Sequence, residues 1–114
     1  MSSYYPDGWQ FIKIEHSGNV LIKVFGSWMG SFTEGEHWRL NSGCMKIETE
    51  EDTLLAHGYS GSVYFLDKIT EGKLGSWNGS QLQSIIDSYQ GVHKIERISA
   101  EEAILLISGE ENGS

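Results

Sequence analysis

Residues 9–25 read WQFIKIEHSGNVLIKVF, and the fold class follows from how this stretch alternates. Two runs, 9–15 and 19–25, flank Ser17-Gly18, where glycine accepts positive φ and lets the chain reverse in a short turn. In the second run Val20, Ile22 and Val24 alternate with Leu21, Lys23 and Phe25. A period of two belongs to a strand, and the wholly apolar first face is expected to look inward.

The same grammar continues downstream. Residues 37–40 and 44–49 read as a second strand pair around Asn41-Ser42-Gly43, with Met45 and Ile47 alternating against Cys44, Lys46 and Glu48. Residues 53–59 and 62–67 read as a third pair around Ser60-Gly61, with Val63 and Phe65 alternating against Tyr64 and Leu66. After Lys68 the period changes. Ser80 and Gln83 have the spacing of a capping box, and Leu82, Ile85, Ile86 and Tyr89 recur at helical intervals before Gly91, which predicts a helix over 81–90. Residues 94–98 suit a further strand. Ser99 and Glu102 then form a second capping box before the apolar run 103–107, read as a second short helix with a buried strand as the alternative. The expected class is α+β: an antiparallel β-meander or partly open small barrel of six strands, with one or two short C-terminal helices. One domain is expected over 1–114, with flexible ends at 1–8 and 109–114.

Composition narrows the function classes. Eight Lys and Arg face sixteen Asp and Glu, a net charge of −8 that repels phosphate backbones and anionic lipid, so direct nucleic-acid or membrane binding is not expected. A single Cys44 excludes an internal disulfide and suits a reducing cytoplasm. No basic segment followed by an apolar run opens the sequence, and no stretch approaches the length of a membrane span.

Chemical motifs are sparse. His16, His37, His57 and His93 include no pair at i, i+2 or i, i+4, so no metal or cofactor is expected, although His37 and His57 could meet Glu48 or Cys44 across strands. Gly58-Tyr59-Ser60-Gly61-Ser62 lacks the closing glycine of a nucleophile elbow and fits a hairpin turn better. Cys44 begins an alternating strand and reads as an ordinary thiol, so no catalytic residue is assigned. Gly26-Ser27-Trp28-Met29-Gly30-Ser31 echoes Gly75-Ser76-Trp77-Asn78-Gly79-Ser80, but Thr-Glu-Gly follows the first copy (33–35) and precedes the second (70–72), which points to shared loop composition rather than duplication.

Charge and tryptophan placement carry more. Glu48, Glu50, Glu51, Asp52 and Asp67 lie between Lys46 and Lys68 with no basic residue among them, and Glu101, Glu102, Glu110 and Glu111 follow Arg97 likewise. If the 48–52 turn meets the second helix, the result is an acidic face able to steer association with a basic partner. Trp9 and Trp38 fall in strand patterns and are expected in the core. Trp28 and Trp77 sit in Gly/Ser segments and read as exposed loop anchors for a partner, or as platforms for a sugar ring with Asn41 and Asn78 supplying hydrogen bonds.

At Trp38-Arg39-Leu40-Asn41-Ser42-Gly43 and Gly58-Tyr59-Ser60-Gly61-Ser62-Val63-Tyr64 the chain resembles small bacteriophage-encoded accessory proteins, over about residues 28–66. The resemblance transfers no catalytic residue. It implies a cytoplasmic protein of an infected cell that binds and blocks a host factor, as anti-CRISPR proteins do. The expectation is therefore a non-enzymatic inhibitor or interaction protein, monomeric or a small homo-oligomer. It would dock on a basic, nucleic-acid-handling host protein through Glu48, Glu50, Glu51 and Asp52, with Trp28 and Trp77 as anchors. The alternatives are a carbohydrate or small-ligand binding module built on the loop tryptophans, and an assembly component that self-associates through open strand edges.

Overall fold

The 9–25 hairpin forms as its alternation predicts. In the computed structural model, which describes residues 2–30 and 35–111, β2 (Gly8–His16) pairs antiparallel with β3 (Asn19–Trp28) along its whole length, from Gly8 opposite Ser27 to His16 opposite Asn19. Ser17 and Gly18 both take positive φ, 51° and 81°, the turn whose twist matches that of the strands it joins. A short strand β1 (Ser3–Tyr4) precedes the hairpin, and β4 (His37–Leu40), β5 (Cys44–Thr49), β6 (Thr53–Gly58) and β7 (Val63–Asp67) follow it. A 3-10 turn (Lys68–Thr70) leads to α1 (Ser76–Ser88), β8 (Lys94–Ile98) and α2 (Ala100–Glu111).

The strands divide into two four-stranded sheets that do not close into a barrel, β4-β3-β2-β8 and β1-β7-β6-β5, antiparallel except for the β1–β7 pair. The α+β class and the meander pieces β2-β3-β4 and β5-β6-β7 follow the sequence reading. The second expected hairpin does not form: β4 pairs with β3 and β5 with β6, so residues 41–43 carry the chain from one sheet to the other. Asn41 makes that crossing possible. Its backbone N–H donates to Val24 O at 3.1 Å, its side-chain Oδ1 accepts from Val24 N at 2.9 Å, and its Nδ2 donates to Cys44 Sγ at 3.3 Å. The ladder of β3 is thus ended by a side chain instead of a further strand. Gly43 follows at φ 136°, and a Cβ there would meet Leu21 Cδ1 at 2.8 Å.

The alternation expected in β5 is broken by a bulge. The register runs from Cys44 opposite Gly58 directly to Lys46 opposite His57, leaving Met45 unmatched. One extra residue flips the face, so Cys44 and Ile47 both turn inward while Met45 is 53% exposed.

Burial explains the layering. Trp9, Phe11, Ile22, Val24 and Ile98 from one sheet meet Leu54, Ala56, Tyr64 and Leu66 from the other, and Ala100, Ala103 and Ile107 of α2 complete that core. On the far face of the β2–β3 sheet, Ile12, Phe25 and Ile95 pack against Leu74 and against Leu82 and Ile86 of α1. Both faces of β3 are therefore covered, and Lys23 is the one charged interruption of its α1-facing side. Each large side chain so buried contributes ~1.5–3 kcal/mol relative to exposure. Trp9 also donates its indole N–H to Asp67 O at 2.8 Å, so the largest fully buried ring leaves no polar atom unpaired.

Regular structure extends into both terminal segments. Ser3 and Tyr4, inside the expected loose end 1–8, pair in parallel with Val63 and Tyr64. The first helix begins at Ser76 and ends at Ser88, displaced from 81–90. The Ser80/Gln83 box does not form, and Gln83 Nε2 instead donates to Asp87 Oδ1 at 2.9 Å. The helix start is fixed from a distance: Gly75 offers no side-chain cap, and Glu36 Oε1 accepts from Asn78 N at 3.0 Å. The 103–107 run is helical, and Ser99 Oγ accepts from Glu102 N at 3.1 Å as its box requires. That helix continues to Glu111, while 112–114 lie outside the described residues.

Candidate functional site

A concavity lies where the edge strands β1 and β4 approach one another. It is an open cleft of about 470 Å³ lined by Ser3, Tyr4, Tyr5, Trp28, His37, Trp38 and Arg39. Its walls follow from strand register. Trp28 and His37 are direct cross-strand partners in β3 and β4, and their rings stack at 5.2 Å with 3° between planes. Two residues on, Arg39 stands opposite Gly26 on the same face of β4, and its guanidinium lies 4.6 Å from the centre of the Tyr4 ring. Tyr4 also meets Trp28 edge-on at 6.4 Å and Tyr64 at 4.9 Å. The neighbouring Tyr5, 65% exposed, stacks on Phe65 at 4.7 Å. Trp38 stacks on Phe25 at 5.2 Å and is half-buried at the edge of the α1-side cluster rather than in the core.

Tyr64 lies buried behind Tyr4 and does not line the cleft. Burial pushes the Tyr64 phenol up to about 12, with Arg39 pulling the other way, so the ring stays neutral. Among the described residues no carboxylate is paired with Arg39, leaving its guanidinium directed at an aromatic face. A half-buried set of rings with one cation above them has the chemistry to hold a ring-shaped group that also carries a hydrogen-bond acceptor or negative charge.

Asn78 fixes the back of this site. It is fully buried on the first turn of α1, and its Nδ2 donates to Ser27 Oγ (2.7 Å), His37 O (2.9 Å) and Trp28 O (3.3 Å). Ser27 Oγ in turn donates to Leu74 O at 2.6 Å. The two tryptophan-bearing echoes therefore pack against each other as a strand end and a helix start. The Trp28 and Trp77 segments are not two free loops. Residues 31, 33 and 34 of the first echo lie outside the described residues. Trp28 ends β3 and lines the cleft, while Trp77 projects from α1 with 51% exposure and does not line it.

The acidic residues occupy a different region. Glu50, Glu51 and Asp52 form the exposed β5–β6 turn, and Glu48 pairs with His57 Nε2 across the two strands. The turn is less uncompensated than its local sequence: Lys68 folds back so that its N–H donates to Asp52 O and its Nζ to Glu51 O, both at 3.0 Å. Strand β5, which leads into this turn, approaches the second helix, but Glu48, Glu50, Glu51 and Asp52 do not line the groove between them. A shallow groove of about 260 Å³ is lined by Thr49, Leu54, Lys68 and Glu71 together with Ala100, Glu101 and Ile104 of α2. Glu71 Oε2 accepts from Ala100 N at 2.9 Å and caps α2 from outside. Glu102 turns to Lys13, which also contacts Glu96 at 3.0 Å.

Sequence reasoning found Trp28 but missed Tyr4, Tyr5, His37 and Arg39. The available signal was His37 and Arg39 at i, i+2, one face of a four-residue strand beside an aromatic pair near the start of the sequence. Cys44 is buried, and burial pushes its thiol up to about 11 against the opposing effect of the Asn41 hydrogen bond, which removes thiolate chemistry at neutral pH. Among the described residues no group of three or more His, Cys, Asp or Glu could hold a metal ion, and no helix is long and apolar enough to cross a membrane. Comparison of the chain with known protein families, with curated proteins and with solved structures returned no match.

Proposed function

We propose that this is a non-catalytic recognition protein whose receptor surface is the cleft between β1 and β4. The observation that supports this is the convergence of Tyr4, Trp28, His37 and Arg39, drawn from three strands, around one opening of about 470 Å³. That volume suits a small ligand or a single ring of a larger one. The ligand class is a ring, sugar or aromatic, bearing an acceptor or anionic group: the ring lies against Trp28 and Tyr4 while Arg39 donates to the acceptor. Nuclear magnetic resonance titration with monosaccharides, uronic acids, aromatic carboxylates and nucleoside monophosphates tests it directly. Shifts confined to residues 3–5, 28 and 37–39, abolished by Trp28→Ala and by Arg39→Ala, are the expected result. Ligand-induced shifts elsewhere, unaffected by both variants, would remove the cleft from the function.

A second reading rests on the exposed acidic β5–β6 turn. Here the protein docks on a basic, nucleic-acid-handling partner through Glu48, Glu50, Glu51 and Asp52, in the manner of a phage-encoded inhibitor. Lys68 lowers the charge of that surface, and Trp77, exposed on α1, is the remaining aromatic anchor. Pull-down from bacterial lysate at low and high salt, with nuclease present, separates the two readings. A nuclease-resistant, salt-sensitive partner lost on reversing Glu50, Glu51 and Asp52 to Lys supports docking. A partner retained by that variant but lost by Trp28→Ala supports the cleft.

A further inference from the structure

We propose that His16 and His93 form a chelating pair for one divalent transition-metal ion, preferring Cu(II) or Ni(II) to Zn(II). The two residues are 77 apart in sequence and are brought together by register. β2 and β8 are antiparallel with Ile14 opposite Ile95 and Glu15 opposite Lys94, so one step past the end of that ladder the same register brings His93 opposite His16. Their Nδ1 atoms face each other at 2.8 Å, with ring centroids 4.4 Å apart and planes at 77°.

Two imidazole nitrogens aimed at one another satisfy themselves in one of two ways. One ring donates its Nδ1 proton to the other, or both lone pairs turn to a shared cation. The 2.8 Å separation is that of an N–H···N hydrogen bond between neutral rings, and it also limits which cation could replace the shared proton. Two nitrogens each ~2.0 Å from a metal lie ~2.8 Å apart when at right angles and ~3.3 Å apart at the tetrahedral angle. The observed 2.8 Å fits adjacent positions of a square or tetragonal ion, the geometry of Cu(II) and Ni(II).

The surroundings hold this geometry. Tyr89 O accepts from both Val92 N and His93 N at 3.0 Å, Gly91 turns the chain at φ 90°, and the Tyr89 ring lies 5.5 Å from that of His93. Glu15 and Lys94, the neighbouring charges, contact each other at 3.7 Å and leave little net charge beside the pair. His16 is exposed and His93 half-exposed, so water fills the remaining coordination positions. The other imidazoles are engaged elsewhere, His57 with Glu48 and His37 against Trp28, and Cys44 is buried. The pair sits at the turn end of the β2–β3 hairpin, opposite the end that carries the cleft.

The test titrates the full chain separately with CuCl2, NiCl2 and ZnCl2, read by calorimetry, with electron paramagnetic resonance for Cu(II). One ion per chain, bound in the order Cu(II), Ni(II), Zn(II), and coupling to two imidazole nitrogens are expected. His16→Ala and His93→Ala should each weaken binding by at least ~10-fold, since losing even an outer-shell partner costs that much. His57→Ala should leave it within about twofold, less than the loss of even an outer-shell partner. Affinity retained in either first variant, or Zn(II) bound more tightly than Ni(II), overturns the assignment. Should a variant unfold, paramagnetic broadening in the unsubstituted chain decides: confinement to resonances near residues 14–19 and 89–95 supports the pair, and broadening elsewhere refutes it.

Discussion

Asn78 is the residue whose replacement most directly tests the architecture behind the cleft. It stands third in α1, a position where replacing Asn by Asp ordinarily helps, because a carboxylate favours the positive end of the helix dipole. The structure reverses that expectation. The Nδ2 of Asn78 points at Ser27 Oγ, His37 O and Trp28 O, and Ser27 Oγ already spends its own proton on Leu74 O. In Asn78→Asp a carboxylate oxygen would therefore replace the donor that faces three acceptors. In Asn78→Ala the bonds to Ser27 Oγ, His37 O and Trp28 O are all lost, while the buried Oδ1 of Asn78, itself without a partner, is removed. With ~1–3 kcal/mol for each buried group left unsatisfied, Asn78→Ala should cost ~2–3 kcal/mol. Asn78→Asp adds the burial of an oxygen against acceptors and should cost more than ~3 kcal/mol. For a domain of this size a loss of ~2–3 kcal/mol is a fall in Tm of roughly 10–20 °C. Urea and thermal unfolding followed by circular dichroism measure both variants. Asn78→Asp as stable as the unsubstituted chain would refute the donor assignment, and with it the claim that this side chain sets the spacing of Trp28 and His37.

Three further outcomes follow from named contacts. Cys44, with its thiol raised to about 11, should resist an uncharged alkylating reagent at mildly alkaline pH in the folded protein and react on unfolding in urea; rapid native labelling, read by mass spectrometry, contradicts the burial. Gly43→Ala places a Cβ 2.8 Å from Leu21 Cδ1 at φ 136° and should cost ~1–3 kcal/mol in a urea melt, whereas a neutral effect would mean that the sheet crossing is not held as described. Lys13 holds the Glu96 carboxyl below its ordinary 4.5, chiefly through their hydrogen bond, and Glu96 raises Lys13 above 10.5. The depressed carboxyl contributes stability above the ordinary carboxylate range and loses it as pH falls through the folded value; the raised amine contributes below 10.5 and loses it as pH rises through its own folded value. The stability gap between the unsubstituted chain and Glu96→Gln should therefore be small but present at neutral pH and absent in strong acid, and a gap that persists in strong acid would assign it to packing instead.

What was legible in the sequence was local. The β2–β3 and β6–β7 hairpins were read because a turn pair such as Ser17-Gly18 and the period of its flanks lie within one short window. The six central strands and the α+β class followed. What escaped was decided by partners far away in the chain. Residues 76–80 look like a loop because serine, asparagine and glycine dominate them, yet they form the first turn of α1, since Glu36 accepts from the helix start and Asn78 is tied to β3 and β4. The β4–β5 pairing failed because Asn41 takes the place of a strand beside Val24. Met45 left the interior because a one-residue bulge carries no compositional mark. The candidate sites follow the same rule. The acidic turn was visible as a block, but Lys68 beside it was not, and the cleft joins residues 3–5 to residues 28 and 37–39 by the approach of two sheet edges. His16 and His93 carry no motif spacing at all, yet two correctly paired strands place them ring against ring. Register, which the sequence specifies only through the sum of many buried faces, is thus the level at which this protein's chemistry is assembled. A substitution that shifts β2 against β8 by one residue would erase the histidine pair while leaving the order of secondary elements intact.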